Sequence, residues 1–190
     1  MATFVDEMRV TKRNKSLEDI SFDKILKRIK SVGKEQNLQN INYSALCLKI
    51  IDQLYDKIET TKIDELTAEQ CASQITKHHD FGSLASAIVI SNLHKNTKAN
   101  FLSVMRHLQS NNLITKSIVN IADKHKEIIN QVIDYKRDNL IDYFGFKTLE
   151  RAYLMRVNKV ITERPQHMWM RVAIGIHGDN IERIKETYDY

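Results

Sequence analysis

Lys12 and Arg13 lie in the stretch Val10 to Lys24, VTKRNKSLEDISFDK, just ahead of a serine suited to start a helix. Ser21 is that N-cap, because Phe22, Ile25, Leu26, Ile29 and Val32 follow it at helical spacing. The first backbone N–H groups of such a helix are free and its end is partially positive, so helix end and cations together favour a phosphate. The same residues also fit a plain hairpin packed on a helix, its lysines solvated, and local pattern leaves both readings standing. Further along, Thr61 and Asp64 have the S/T-x-x-D/E spacing of a helix cap. The competing reading turns Thr60 and Asp64 toward the hairpin, to hydrogen-bond a base or ribose. Lys95, at the end of SNLHK, is either a surface lysine or a phosphate ligand.

Other reactive types form no recognisable set. The seven histidines lack metal-ligand spacing, and His78-His79 are adjacent in a turn-like stretch. No Ser/His/Asp or Cys/His catalytic arrangement can be argued. Cys47 and Cys71 fall in helical patterns without a CxxC partner, which predicts buried thiols in a reducing compartment and a cytoplasmic protein. Trp169, with Met168 and Met170 beside it, reads as core.

The elements that must carry these residues are mostly helices. Alternation of Val10 and Lys12, then Leu17 and Asp19, about Asn14-Lys15-Ser16 predicts a short β-hairpin. Helices are expected from Phe22 to about Gln36, after Asn42, from Lys62 to about His78, and as one long segment from Ser83 to Gln109. Polar Ser110-Asn111-Asn112 marks a boundary. A helical pattern runs from Lys116 to Ile133, Asp134 to Asn139 reads as a loop, and Met155 to Thr162 as a second hairpin about Asn158-Lys159. Pro165 suits the first turn of a helix. Two helices divided near Gly178 close the chain.

One proline and five glycines in 190 residues agree with long helices and few tight turns. No apolar run approaches a membrane span or a signal peptide. The net charge of +5 is uneven: from Arg9 to Lys34 there are nine Lys or Arg against Glu18, Asp19 and Asp23. That surplus favours an anionic partner without naming it. No nucleic-acid recognition motif is present, nor the interleaved aromatics of single-strand binders.

Five separated blocks carry a resemblance. VTKRN (10–14), FDKI (22–25), SNLHK (91–95), YFGFKTLERAYL (143–154) and ERPQHMWMRVAIGIH (163–177) are similar, in order, to the N-terminal part of the class I ribonucleotide reductase large subunit of the eukaryotic and large-DNA-virus kind. The resemblance implies a mainly α fold. Residues 1–7 are expected to be a flexible extension. The resemblance makes residues 8–100 an expected ATP-cone, in which a small N-terminal β-hairpin or sheet caps a four-helix bundle, and residues 101–190 an expected helical segment preceding the catalytic barrel. It implies ATP as activating and dATP as inhibiting allosteric effector, bound with Mg²⁺.

By position, the implied nucleotide contacts are Lys12 and Arg13 on the first strand, and Glu18, Asp19, Ile20, Ser21, Phe22, Asp23 and Lys24 through the second strand and helix start. Thr60 and Asp64 follow at the third helix, the aspartate distinguishing dATP from ATP, and Lys95 reaches the phosphates. The implied partners are the reductase small subunit, the barrel portion and other cones in a homo-oligomer. The family's catalytic cysteines match nothing in this chain, so the resemblance implies no ribonucleotide reduction by it alone. One departure is the hairpin turn: Asn14-Lys15 stands where the family often has Asn-Gly or Asp-Gly, and a type I′ turn makes lysine costly there. Two other classes compete. A cone-bearing transcriptional repressor needs a four-cysteine zinc ribbon that two cysteines cannot build. A basic helical scaffold binding nucleic acid or protein, without nucleotide regulation, would show salt-dependent DNA binding and silence toward ATP.

Overall fold

The computed structural model describes residues 8–190, so the expected extension at residues 1–7 lies outside the described residues. The chain divides into two compact units, 1–92 and 93–190.

The first unit opens with β1 (Arg9–Thr11) and β2 (Leu17–Asp19), paired antiparallel with Val10 opposite Glu18. The chain turns about Asn14-Lys15-Ser16 as expected, and not through the two-residue type I′ turn common in the resembled family. Lys15 N–H donates to the Lys12 carbonyl at 2.8 Å, Lys12 N–H to Ser16 at 2.9 Å, and only Lys15 has positive φ, +67°. This is a wider turn with one left-handed residue, and the Asn14 side chain accepts from Ser16 N–H at 3.1 Å to hold it. Asn14 therefore escapes the left-handed conformation that a type I′ turn demands.

Ser21 caps α1 (Phe22–Glu35) through a hydrogen bond from Lys24 N–H, and Asn42 caps α2 (Tyr43–Ile51) through Ala45 N–H. Then β3 (Ile58–Glu59), absent from the sequence expectation, joins the sheet parallel to β1, giving the order β2-β1-β3. Two residues are too few to show alternation, so only the pairing reveals it. The third helix, α3 (Thr60–Ala72), starts two residues before its expected Lys62 and ends well before His78. Residues 73–77 form turns instead. Ile29, Val32, Leu46, Cys47, Ile50, Ile58, Ala68 and Cys71 are buried in this unit.

The expected long fourth helix is two helices. Asp80–Asn96 is α4 and Phe101–Ser110 is α5, the second capped by Asn100, whose side chain accepts from Ser103 N–H at 2.8 Å. Apolar spacing continues through the break, but an asparagine that satisfies free N–H groups starts a new helix.

In the second unit, α5 is followed by α6 (Lys116–Lys124), α7 (Lys126–Val132) and a 3₁₀ turn (Tyr135–Leu140) in place of the expected loop. Next come α8 (Tyr143–Ala152) and the hairpin of β4 (Arg156–Val157) and β5 (Val160–Ile161). Asn158 and Lys159 both have positive φ, +49° and +68°, as a type I′ turn requires. The unit closes with α9 (Pro165–His177) and α10 (Ile181–Asp189). Phe101, Met105, Leu108, Ile129, Met170, Ile174 and Ile184 form its core. Trp169 does not join them: it is 43% exposed while Met168 and Met170 are buried. Consecutive helical residues point in different directions, so two methionines in the core turn the residue between them outward.

A buried polar network runs through the second unit. Asp138, fully buried, accepts from Gln166 Nε2 at 2.9 Å and pairs with His94 Nε2 at 2.6 Å. Tyr188 O–H donates to Gln166 Oε1 at 2.6 Å. Glu163, also fully buried, takes Arg171 in a two-pronged grip at 2.9 and 3.0 Å. Arg164 donates to the carbonyls of His94 and Thr97, and its guanidinium lies 4.8 Å from the Tyr135 ring centroid. The polar members of the ERPQ block are thus each satisfied by partners elsewhere in the unit: Glu163 by Arg171, Arg164 by the His94 and Thr97 carbonyls, and Gln166 by Asp138 and Tyr188.

Candidate functional site

The first unit brings together three groups distant in sequence. Arg13 projects from the hairpin turn, Arg28 from α1, and Asp64 from the first turns of α3. Asp64 is 7% exposed, and both guanidiniums reach its carboxylate. Arg13 Nη2 donates to Oδ2 at 3.3 Å; Arg28 donates from Nε to Oδ1 and from Nη2 to Oδ2, each at 3.3 Å. Two residues of α4 complete the arrangement. Asn92 Oδ1 accepts from Arg13 at 2.6 Å, and its amide donates to the Thr61 carbonyl at 3.3 Å. Ser91 Oγ accepts from Arg28 at 3.0 Å.

Asp64 is therefore not the helix cap its spacing allowed. The cap position of α3 is Glu59, with no capping side-chain hydrogen bond, and Thr61 Oγ1 donates to Glu59 at 3.4 Å. Thr60 opens the helix, half-buried.

A second charged group lies on the hairpin side. Glu18 accepts from Lys12 Nζ at 2.6 Å and pairs with Lys24. Lys24 belongs to the first turn of α1, whose N–H groups point the same way as its dipole's positive end. Asp19 is exposed, and Ser21 and Phe22 are half-buried at the helix start with Ile20 just before them. Asp23 stands exposed in the first turn. Lys15 pairs with Glu59 at 2.9 Å, and that hydrogen bond holds the Glu59 carboxyl below the ordinary range. Lys95 is exposed on the last turn of α4, four residues along from Ser91.

Chemically, Lys12 and Lys24 meet Glu18 beside the N-terminus of α1, and Arg13 and Arg28 meet Asp64. The exposed lysine pairs are weak and exchange readily for another anion. The arginine pairs on Asp64 are more covered and fixed by α4. Ser91 and Asn92 lie in the SNLHK block and Arg28 in the basic surplus, but none of the three was singled out as a site residue; only the burial of an acid in α3 could have prompted a search for cations facing it.

Among the described residues, His78, His79 and Asp80 put potential ligand atoms within 4.8 Å of one another. Asp80 Oδ2 already accepts from Asn40 N–H at 2.9 Å and from its side-chain amide at 3.2 Å, and His78 Nδ1 accepts from Asp80 N–H at 3.1 Å. These contacts make a helix-start motif. Both cysteines are buried free thiols, and burial pushes Cys71 up to about 12.

The chain is thus a hairpin-capped helical unit carrying a buried acid held by two arginines, followed by a second helical unit. Residues 8–96 match the ATP cone domain family, and residues 139–190 match the ribonucleotide reductase all-alpha domain. The chain is 41% identical over 96% of its length to the ribonucleoside-diphosphate reductase large subunit of variola virus. It is 43% identical over 95% to that of Plasmodium falciparum, and 42% over 95% to that of Caenorhabditis elegans. It spans about a quarter of the length of these relatives: 25%, 23% and 24%. The chain belongs to the ribonucleotide reductase large-subunit family, in its N-terminal region. Among the described residues, no helix is long and apolar enough to cross a membrane.

Proposed function

We propose that this chain is the allosteric nucleotide-sensing part of a ribonucleoside-diphosphate reductase large subunit, binding ATP or dATP with Mg²⁺ between hairpin and helices. The observation that carries this reading is the meeting of Arg13 and Asp64 beneath the hairpin, 51 residues apart in sequence and 3.3 Å apart in space. In this reading Lys12, Arg13 and Lys24 exchange their carboxylate partners for phosphates at the N-terminus of α1, and Lys95 of α4 adds a further cation. Asp64, with Thr60, faces the sugar. ATP and dATP differ only in a 2′-hydroxyl, which a carboxylate can detect by accepting its hydrogen bond.

Regulation then follows as linkage. If each nucleotide favours a different arrangement of the cone with its neighbours, occupancy shifts the assembly equilibrium. The partners of this scheme are a catalytic barrel, the radical-bearing small subunit and other cones.

Isothermal titration of the 190-residue chain with ATP and with dATP, in excess Mg²⁺, tests the reading. Saturable binding of either supports it. No heat at millimolar concentrations of both, together with a salt-dependent shift of DNA, favours the basic-scaffold alternative instead.

A further inference from the structure

Arg28 is the largest addition the structure makes to the site. It contacts three elements at once: its own α1, Asp64 of α3 and Ser91 of α4. A guanidinium is a rigid planar fork, and here Nε and Nη2 each meet a different oxygen of Asp64. The carboxylate cannot rotate without losing one of those bonds. Ser91 in turn fixes the fork, by accepting from the same Nη2.

Arg13 holds Asp64 differently. Its contact to Oδ2 is 3.3 Å, and its shorter hydrogen bond, 2.6 Å, goes to Asn92. It also stands on the hairpin turn, with its side chain 32% exposed. If Arg13 turned to a phosphate and Asp64 had no other partner, a nearly buried carboxylate would be left unpaired, which is strongly unfavourable. Arg28 removes that obstacle. A carboxylate offers about four lone-pair sites. With Arg13 gone, the two bonds from Arg28 keep Asp64 paired and leave sites open to a hydroxyl donor.

We propose that Arg28 is the positioning residue for nucleotide discrimination: it holds Asp64 in place and paired, so that Arg13 can exchange the carboxylate for phosphate and Asp64 can accept from the sugar. The inference rests on the nucleotide-binding reading above and adds a division of labour between the two arginines. Arg28 itself touches neither phosphate nor sugar.

The test compares dissociation constants of the full chain for ATP, dATP and inorganic tripolyphosphate, in excess Mg²⁺. The wild-type chain distinguishes ATP from dATP. In Arg28→Gln the ratio of the two constants falls to within twofold of one, while tripolyphosphate binding stays within twofold of wild type. Arg28→Lys, which keeps a charge beside Asp64 and so protects the fold if the glutamine variant loses it, gives a ratio between those of wild type and Asp64→Asn. The double variant Arg28→Gln/Asp64→Asn matches Asp64→Asn alone, because the arginine acts only through the aspartate.

An unchanged ratio in Arg28→Lys or Arg28→Gln overturns the proposal. So does a loss of tripolyphosphate binding equal to the loss of nucleotide binding, which would make Arg28 a phosphate ligand. A wild-type chain that binds both nucleotides alike overturns it while leaving nucleotide binding intact. A wild-type chain silent toward all three ligands overturns the nucleotide-binding reading as well.

Discussion

Arg13 on the hairpin turn and Asp64 on α3 are joined by a 3.3 Å ion pair across the mouth of the first unit, and the same arginine holds Asn92 at 2.6 Å. The hairpin is thereby tied to two helices through one side chain. In the proposed reading, a phosphate arriving at the hairpin breaks that tie.

Arg13→Gln should weaken ATP and dATP binding together, by about tenfold, since a charge-assisted contact to a phosphate is worth about 1.5–3 kcal/mol at most. Stability should change by less than about 1 kcal/mol, because the pair is partly exposed and Asp64 keeps Arg28. Calorimetric titration and urea melts measure the two effects separately. A selective loss of one nucleotide would mean that Arg13 contacts the sugar.

Gly33→Ala tests packing in the first unit. A Cβ there would lie 2.1 Å from Tyr43 Oη and 2.7 Å from its Cζ. Alanine gains about 1 kcal/mol of helix propensity over glycine. Against that, the tyrosine ring must shift, at about 1–3 kcal/mol, and its 3.0 Å hydrogen bond to the Leu38 carbonyl is strained. The clash wins, so the melting temperature falls. Gly33→Ala combined with Tyr43→Leu, which removes the obstructing hydroxyl and ring, should recover part of the loss.

His167 makes the second unit acid-sensitive. Burial, foremost, lowers its pKa from 6.5 to about 4. In the folded chain the ring is neutral, with Nδ1 accepting from Arg164 N–H at 3.3 Å and Nε2 2.7 Å from Tyr135 Oη. The unfolded chain takes up a proton below pH 6.5, so this contribution is complete above that value and is lost as pH falls toward 4. The expected loss is on the order of 3 kcal/mol. Urea unfolding at pH 7 and pH 4.5, compared with His167→Gln, isolates it: the variant should show a shallower decline.

Cys47 and Cys71 should resist alkylation in the folded chain. Both are fully buried, and burial raises both thiol pKa values, Cys71 to about 12. The thiolate is the reactive form, so iodoacetamide at pH 8 should label neither residue until denaturant is added. Mass spectrometry of the folded and unfolded chain provides the comparison. Rapid labelling of the native chain would mean that α2 or α3 opens locally.

Replacing Glu163 by Gln should cost about 3–5 kcal/mol, because it strands Arg171, whose side chain is 13% exposed, beside an uncharged buried amide. Arg171→Met with Glu163→Leu removes both charges and should lose much less. Thermal melts of the two variants give the contrast.

Local chemistry was legible from residue order alone. Ser21, Asn42 and Pro165 announced helix starts, Asn158-Lys159 announced a second hairpin, and the ATP-cone blocks announced the mainly α fold. These features depend on residues within a turn of one another, so their signals survive without a partner. Features that need a distant partner were invisible: the two-residue strand β3 exists only because β1 offers it hydrogen bonds, and the α4–α5 break went unread because apolar spacing runs on past Asn100.

Composition and spacing determined that a basic stretch precedes α1 and that Asp64 sits one turn into α3. Tertiary structure decided what Asp64 does, by setting Arg13 and Arg28 against it across 51 and 36 residues of sequence. It also turned Trp169 to the surface and sank Glu163 and Asp138 with their partners. The physical reason is common to all of these. A side chain's type fixes which bonds it can make, but its depth, and hence whether it must make them, is set only when the helices pack.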